Sequence, residues 1–224
     1  MKFRWTPAPP QPLLTETLAK QLKISPLLAQ CLVNRGFSEP AVIENFLAPR
    51  LKNLADPFLL PNMKTAIERL LLAHEREELI VIFGDYDVDG VTSTTLLLEV
   101  LRKLGWQAEA YLPNRMDEGY GLSRDGVENC LKKFPAKLLL AVDCGSTAVE
   151  TISWLKQKSV EVIVLDHHQV SSPAPEAVAL VNPQLGGSFT ELCSAGLAFK
   201  LAHALVKRGR ETGLPGAAEF DLRP

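Results

Sequence analysis

The sequence predicts an α/β fold: a mostly parallel sheet with helices on both faces, preceded by a small helical N-terminal region. Two observations carry this. Short apolar runs at 79–83, 108–112, 137–142, 160–165 and 177–181 alternate with longer amphipathic segments at 91–104, 123–134, 146–158 and 194–208, the strand–helix rhythm of a parallel sheet. Runs such as Leu138-Leu139-Leu140-Ala141-Val142 are apolar at every position, as strands covered on both faces are. A chain of 224 residues with 46% apolar and 22% charged content has enough apolar material for a sizeable core, which excludes disorder as its main state. The net charge of −2 excludes a chain coated in basic residues but leaves room for a local basic groove. No apolar run reaches the roughly 18 residues that span a bilayer. The opening MKFRWTPAPPQP has no apolar stretch of the secretory kind. The expectation is a cytoplasmic protein with no membrane association.

The elements follow in order. Four prolines among the first twelve residues, Pro7, Pro9, Pro10 and Pro12, predict an extended leader over 1–14. Residues 15–78 read as a helical N-terminal cap. Leu18, Leu22, Leu27, Leu28, Leu32 and Val33 recur at helical spacing, with Pro26 opening a new first turn. Ser38-Glu39-Pro40 before Val42, Ile43, Phe46 and Leu47 reads as a capped helix start. Asn62 is expected to cap a further helix bearing Ile67, Leu70 and Leu71. Residues 79–224 form the α/β domain.

In an open parallel sheet, ligands bind beyond the carboxyl ends of the strands, so the residues after each strand matter most. Gly84-Asp85-Tyr86-Asp87-Val88-Asp89-Gly90 follows the first strand and Asp143-Cys144-Gly145 the third. Asp166-His167-His168 follows the fourth and Asn182-Pro183 the fifth. Carboxylates gathered this closely are costly without a neutralising cation. Aspartate with neutral imidazole suits Mn²⁺ or Mg²⁺. Three carboxylates and a histidine suffice for two ions with a shared ligand, set about 4 Å apart as in two-metal phosphoryl transfer.

Other readings fit less well. The Asp-x-Asp-x-Asp-Gly run matches half of an EF-hand loop, but Leu96 stands where that loop needs glutamate. A receiver-type phosphoacceptor site wants a lysine after the fifth strand, where Asn182 stands. Dinucleotide and Walker A signatures are absent. Arg115, in the loop 113–123, is equally readable as a phosphate contact or as a surface arginine. Ser194-Ala195-Gly196 opens the last helix, whose free N–H groups could face an anion, though Gly196 also fits close packing. Cys31, Cys130, Cys144 and Cys193 have no zinc-type spacing and read as free thiols.

Taken together, the run 84–90, the loop 113–123, Val142-Asp143-Cys144-Gly145 and Asp166-His167-His168 resemble the DHH phosphoesterase superfamily. Within it they resemble the RecJ-type, single-strand-specific 5′→3′ DNA exonucleases, as do Val181-Asn182-Pro183 and Ser194-Ala195-Gly196…Ala198-Phe199-Lys200. The likeness covers about 79–224, with a looser match before it that includes Trp5. It implies a metal-dependent phosphodiester hydrolase using two Mn²⁺ or Mg²⁺ ions and an activated water, acting in DNA repair and recombination. The partners it implies are single-stranded DNA and single-strand-binding protein. Asp87, Asp89, Asp143 and His167 would be metal ligands, Asp143 the bridging one. Asp85 would be a ligand or stand just behind one. His168 would contact the scissile phosphate or a metal, Asp166 would orient the histidines, and Arg115 would hold the DNA backbone. Family members carry a further acidic motif and a second domain beyond the point where this sequence stops. The resemblance therefore implies an N-terminal portion of a longer enzyme, weakly active or inactive alone. Alternative readings are another DHH phosphoesterase, acting on oligoribonucleotides or cyclic dinucleotides, and a non-catalytic nucleic-acid-binding subunit.

Overall fold

The structure, a computed structural model, describes residue 4, residues 6–186 and residues 188–223, with the backbone alone for Arg115. Trp5 and the Arg115 side chain lie outside the described residues. The chain forms two compact units, residues 1–55 and 56–224.

In the first unit, α1 (Pro12–Leu22), α2 (Pro26–Asn34) and α3 (Pro40–Leu47) each open on a proline. Proline has no N–H, but the first helical position has no intrahelical use for one. That is why α1 begins at Pro12, inside the segment expected to be extended. Ser25 caps α2 by accepting from the Leu28 N–H at 3.2 Å. The position before α3 is Glu39 rather than Ser38, and it makes no side-chain cap. Leu18, Ala19, Ala29, Leu32, Val33 and Ile43 form the small core. Leu27 shares their spacing but stays 76% exposed.

The second unit holds α4 (Met63–Glu75), β1 (Ile80–Gly84), α5 (Val88–Lys103), β2 (Ala108–Tyr111), α6 (Arg115–Glu118) and α7 (Arg124–Lys133). These are followed by β3 (Leu138–Val142), α8 (Val149–Gln157), β4 (Glu161–Leu165), β5 (Ala179–Val181) and α9 (Ser194–Thr212). The five strands pair in parallel in the order β2-β1-β3-β4-β5. The predicted α/β class and all five predicted strands are therefore present. β1 and β3 are buried at every residue, which is why their sequences do not alternate.

Alternate residues feed opposite faces of the sheet. Ile80, Ile82, Leu138, Leu140, Val142 and Ile163 join α4, α5 and α9 in one core. Val81, Phe83, Leu139, Ala141, Val162 and Val164 join α7 and α8 in the other. Right-handed crossovers explain the division. The chain turns outward from β1 to β2 through α5, then reverses to β3 and β4 through α7 and α8, so the helices change face. α4 and α9 cover the part of the first face that the crossovers leave open. Asn62 does not cap α4 with its side chain; it sits at φ 60° and donates from Nδ2 to the Leu180 carbonyl at 2.8 Å. The helix start is tied to β5 instead. The reversal of strand order falls between β1 and β3, the position where ligand crevices form in such sheets.

Candidate metal centre

β1 ends at Gly84 and the chain turns sharply into α5. A side chain at Gly90 would collide with the Asp85 carbonyl, so only glycine lets the first turn of α5 close against the strand end. Asp87 caps that helix, accepting from the N–H groups of Asp89 and Gly90, each at 2.9 Å. Burial raises the Asp87 carboxyl less than these N–H donors lower it, the Gly90 one foremost, so it stays below the usual carboxylate range. Asp85 is buried and accepts from the Tyr86 N–H at 2.8 Å. Its carboxyl is pushed up, first by burial and then by the like charge of Asp87.

Asp143 follows β3 in the left-handed region, at φ 63°. Non-glycine residues adopt this region at some cost, typically where function requires it. The side chain is 2% exposed, and its Oδ1 has no hydrogen-bond partner. Burial, then the charges of Asp89 and Asp87, push its carboxyl up to about 7 against the pull of Ser194.

β4 delivers Asp166-His167-His168. Asp166 accepts from the N–H of Ser146 at 3.0 Å, of His167 at 2.7 Å and of His168 at 3.2 Å. It also pairs with His168 Nδ1 at 2.7 Å. Burial opposes its ionisation, but these donors outweigh it and the carboxyl stays low. His168 is raised: burial disfavours its charge, and Asp166 more than compensates. With Nδ1 engaged, Nε2 is left as the ring atom available to a ligand. Asn182 holds the same loop from β5, donating to Ser146 Oγ at 2.7 Å and to the His168 carbonyl at 2.9 Å. His167 Nε2 lies 3.4 Å from Asp143 Oδ1 and 3.8 Å from Asp89 Oδ2.

Two groups of potential ligands emerge: Asp85, Asp87 and Asp143, and Asp143, His167 and His168, the atoms of each within 4.8 Å of one another. Asp143 belongs to both. Asp89 belongs to neither; its carboxylate accepts from the N–H groups of Ser194 at 2.7 Å and Ala195 at 2.8 Å. The anion at the start of α9 is thus a carboxylate of the chain itself. Gly196 serves packing as well, since a Cβ there would press Leu192. Among the described residues, the only ion-pair neighbour of Asp89 and Asp143 is His167. Buried carboxylate oxygens without a protein cation, one of them unpartnered, beside imidazole nitrogen form a donor set that fits a hard or borderline divalent ion.

No sequence signal singled out Ser146, whose N–H and hydroxyl link Asp166 to Asn182. Nor did one assign a role to Glu118, which is 9% exposed. Asp85 is reached by Tyr120, which contacts Tyr86 edge-on at 6.3 Å. The cysteines are free, with Cys130 and Cys144 buried and Cys31 and Cys193 exposed.

Residues 79–220 match the DHH family, N-terminal domain. The chain is 39% identical over 208 residues to the single-stranded-DNA-specific exonuclease RecJ of Bacillus subtilis (strain 168), covering 92% of this chain and 26% of that protein. Among solved structures it is similar to RecJ of Thermus thermophilus in complex with Mn²⁺, with a TM-score of 0.71 and 29% identity. That match covers 92% of this chain and 28% of the other. It is also similar to the Mg²⁺ complex of the Thermus thermophilus protein, with a TM-score of 0.58 and 28% identity over 92% of this chain and 24% of the other. The chain thus spans about a quarter of the length of these relatives.

Proposed function

Since this chain belongs to the DHH family, we propose that it carries the cation-holding part of an exonuclease that shortens single-stranded DNA from its 5′ end, in DNA repair and recombination in the cytoplasm. The observation that supports this most is Asp143, buried, short of a partner, and common to two ligand groups. The names of the similar proteins supply the substrate class.

Asp85, Asp87, Asp143 and His167 would hold two divalent ions, Mn²⁺ or Mg²⁺, with Asp143 between them and Asp89 at hand beside His167. Such ions supply charge stabilisation at a phosphoryl group and lower the pKa of water. The chain's own part is to preorganise the ligands. The α5 cap aims Asp87, the left-handed turn aims Asp143, and Asp166 fixes the tautomer and direction of His168. His168 Nε2 would then contact the scissile phosphate. Arg115 would hold the DNA backbone at the mouth of the site.

The test is hydrolysis of 5′-phosphorylated strands by the full-length natural protein with Mn²⁺ or Mg²⁺. Degradation of single strands but not blunt duplex, abolished by Asp143→Ala, is expected. Equal cutting of both substrates, or full activity in the variant, would overturn the proposal.

A further inference from the structure

We propose that Glu118 is a positioning residue whose carboxylate pins the loop 113–123 to the sheet and so sets where that loop meets the substrate. The inference rests on the reading of this loop as substrate-facing. The loop is poorly equipped to hold itself. α6 is a helix of four residues, too short to persist through its own hydrogen bonds. Gly119 and Gly121 follow at φ 82° and 62°. Met116 and Tyr120 are 88% and 63% exposed. Against that background Glu118 turns inward. Its Oε1 accepts from Tyr111 Oη at 2.5 Å and from Asn129 Nδ2 at 2.7 Å. Its Oε2 accepts from the Asn114 N–H at 2.7 Å. Its carbonyl accepts from Ser123 Oγ, which in turn caps α7 by accepting from the Gly126 N–H at 3.1 Å. One side chain thus joins the end of β2, the start of the loop and α7.

The chemistry explains why a carboxylate stands there. Three donors converge, which an ionised carboxylate can satisfy and an amide cannot. A glutamine would turn its own NH₂ toward a donor. Burial disfavours the charge, yet Tyr111, Asn129 and Asn114 hold it below the usual range. No cation pairs with Glu118 among the described residues, so its desolvation is offset by hydrogen bonds whose shared effect is to fix the loop. The loop then reaches the metal centre through Tyr120, beside Asp85 and Tyr86.

The test uses the full-length natural protein and its Glu118→Ala, Glu118→Gln and Tyr111→Phe variants. KM and kcat on 5′-phosphorylated single strands are measured together with Mn²⁺ affinity and amide exchange over 113–123. Glu118→Ala is expected to raise KM roughly tenfold or more, the equivalent of one or two lost hydrogen bonds. Its kcat should stay within about threefold and its Mn²⁺ affinity unchanged. Exchange should speed up in the loop but not in β1 or β3. Glu118→Gln and Tyr111→Phe should show smaller shifts of the same kind. An unchanged loop exchange rate, or a loss of stability with KM unmoved, would overturn the proposal. If the wild-type protein leaves single-stranded DNA intact, the nuclease reading fails, while loop exchange still decides the role of Glu118.

Discussion

Both ends of the same sheet bury charge, and they do so in opposite ways. At the amino end, Arg69 of α4 is 7% exposed and meets Glu78 at 2.6 Å and Glu161 of β4 at 2.7 Å. One of its nitrogens stays unpartnered, but the charges are balanced by the protein itself. At the carboxyl end, Asp85, Asp87, Asp89 and Asp143 gather with histidines for company. The first arrangement sets opposite charges against each other and ties helix to sheet. The second is a deficit of positive charge, with Asp85 and Asp143 buried and Asp87 at the surface. Such a deficit marks a candidate site for a cation.

That contrast can be broken by experiment, and the largest effect belongs to the carboxyl end. Removing Asp143 takes away the ligand common to both groups. Asp143→Ala in the full-length natural protein should lose several kcal/mol of transition-state stabilisation, roughly a thousandfold or more in rate. Activity within tenfold of wild type would dissolve the distinction. At the amino end the loss should be one of stability alone. Arg69→Met removes the closest partner of Glu78, which is 13% exposed and keeps only Arg76 at 3.8 Å, and should cost about 2 kcal/mol. The check is the urea midpoint, with Mn²⁺ affinity unaltered. Asp166 also accepts from the His167 N–H at 2.7 Å, so Asp166→Asn should misplace His167 and weaken Mn²⁺ binding by roughly 10- to 100-fold, as the loss of an orienting partner does, measured by calorimetry.

A smaller effect concerns pH. Asp143 titrates near 7 in the folded protein and near 4 when unfolded. Between these values the metal-free folded state binds the extra proton, so its stability falls as pH rises from about 4 to about 7. Asp143→Asn should flatten this slope, and saturating Mn²⁺ should abolish the Asp143 contribution to it, because the ion keeps the carboxylate ionised in the folded state as it is in the unfolded one. Thermal melts from pH 5 to 8 would show it; an identical slope in wild type and variant would refute the assignment. The smallest effect is at the rim of the amino end. Arg76 lies 3.8 Å from Glu78 and is 59% exposed, so Arg76→Ala should change stability by less than about 1 kcal/mol.

Much of this was legible in the sequence, for identifiable reasons. The strands were readable because β1 and β3 are buried at every residue. The clustering of acidic residues was readable because parallel topology brings every strand-end residue to one edge, so Asp85, Asp143 and Asp166 needed no long-range information. What escaped was set by tertiary contact. Nothing near Asp89 announces that its partners are Ser194 and Ala195, more than a hundred residues away. Ser146 looks like an ordinary turn residue until the loops are folded together, and Asn182, marked by its place after the fifth strand, shows its partners Ser146 and His168 only then. α6 has no periodic signal because it owes its shape to Glu118 and Ser123. α4, read with the preceding helices, supplies Ile67, Leu70 and Ala73 to the core of the sheet unit, since amphipathicity says which face is buried and not against what.

The most direct test of the central claim is the number of Mn²⁺ ions bound by the full-length natural protein before and after the Asp143→Ala substitution, in a variant whose circular dichroism matches wild type. Two ions per chain are expected in the wild type, falling to one weakly held ion or none in the variant, because Asp143 stands in both ligand groups. Two ions bound with undiminished affinity in the variant would contradict the shared role of Asp143 and, with it, the reading of the carboxyl edge as a charge deficit completed by cations.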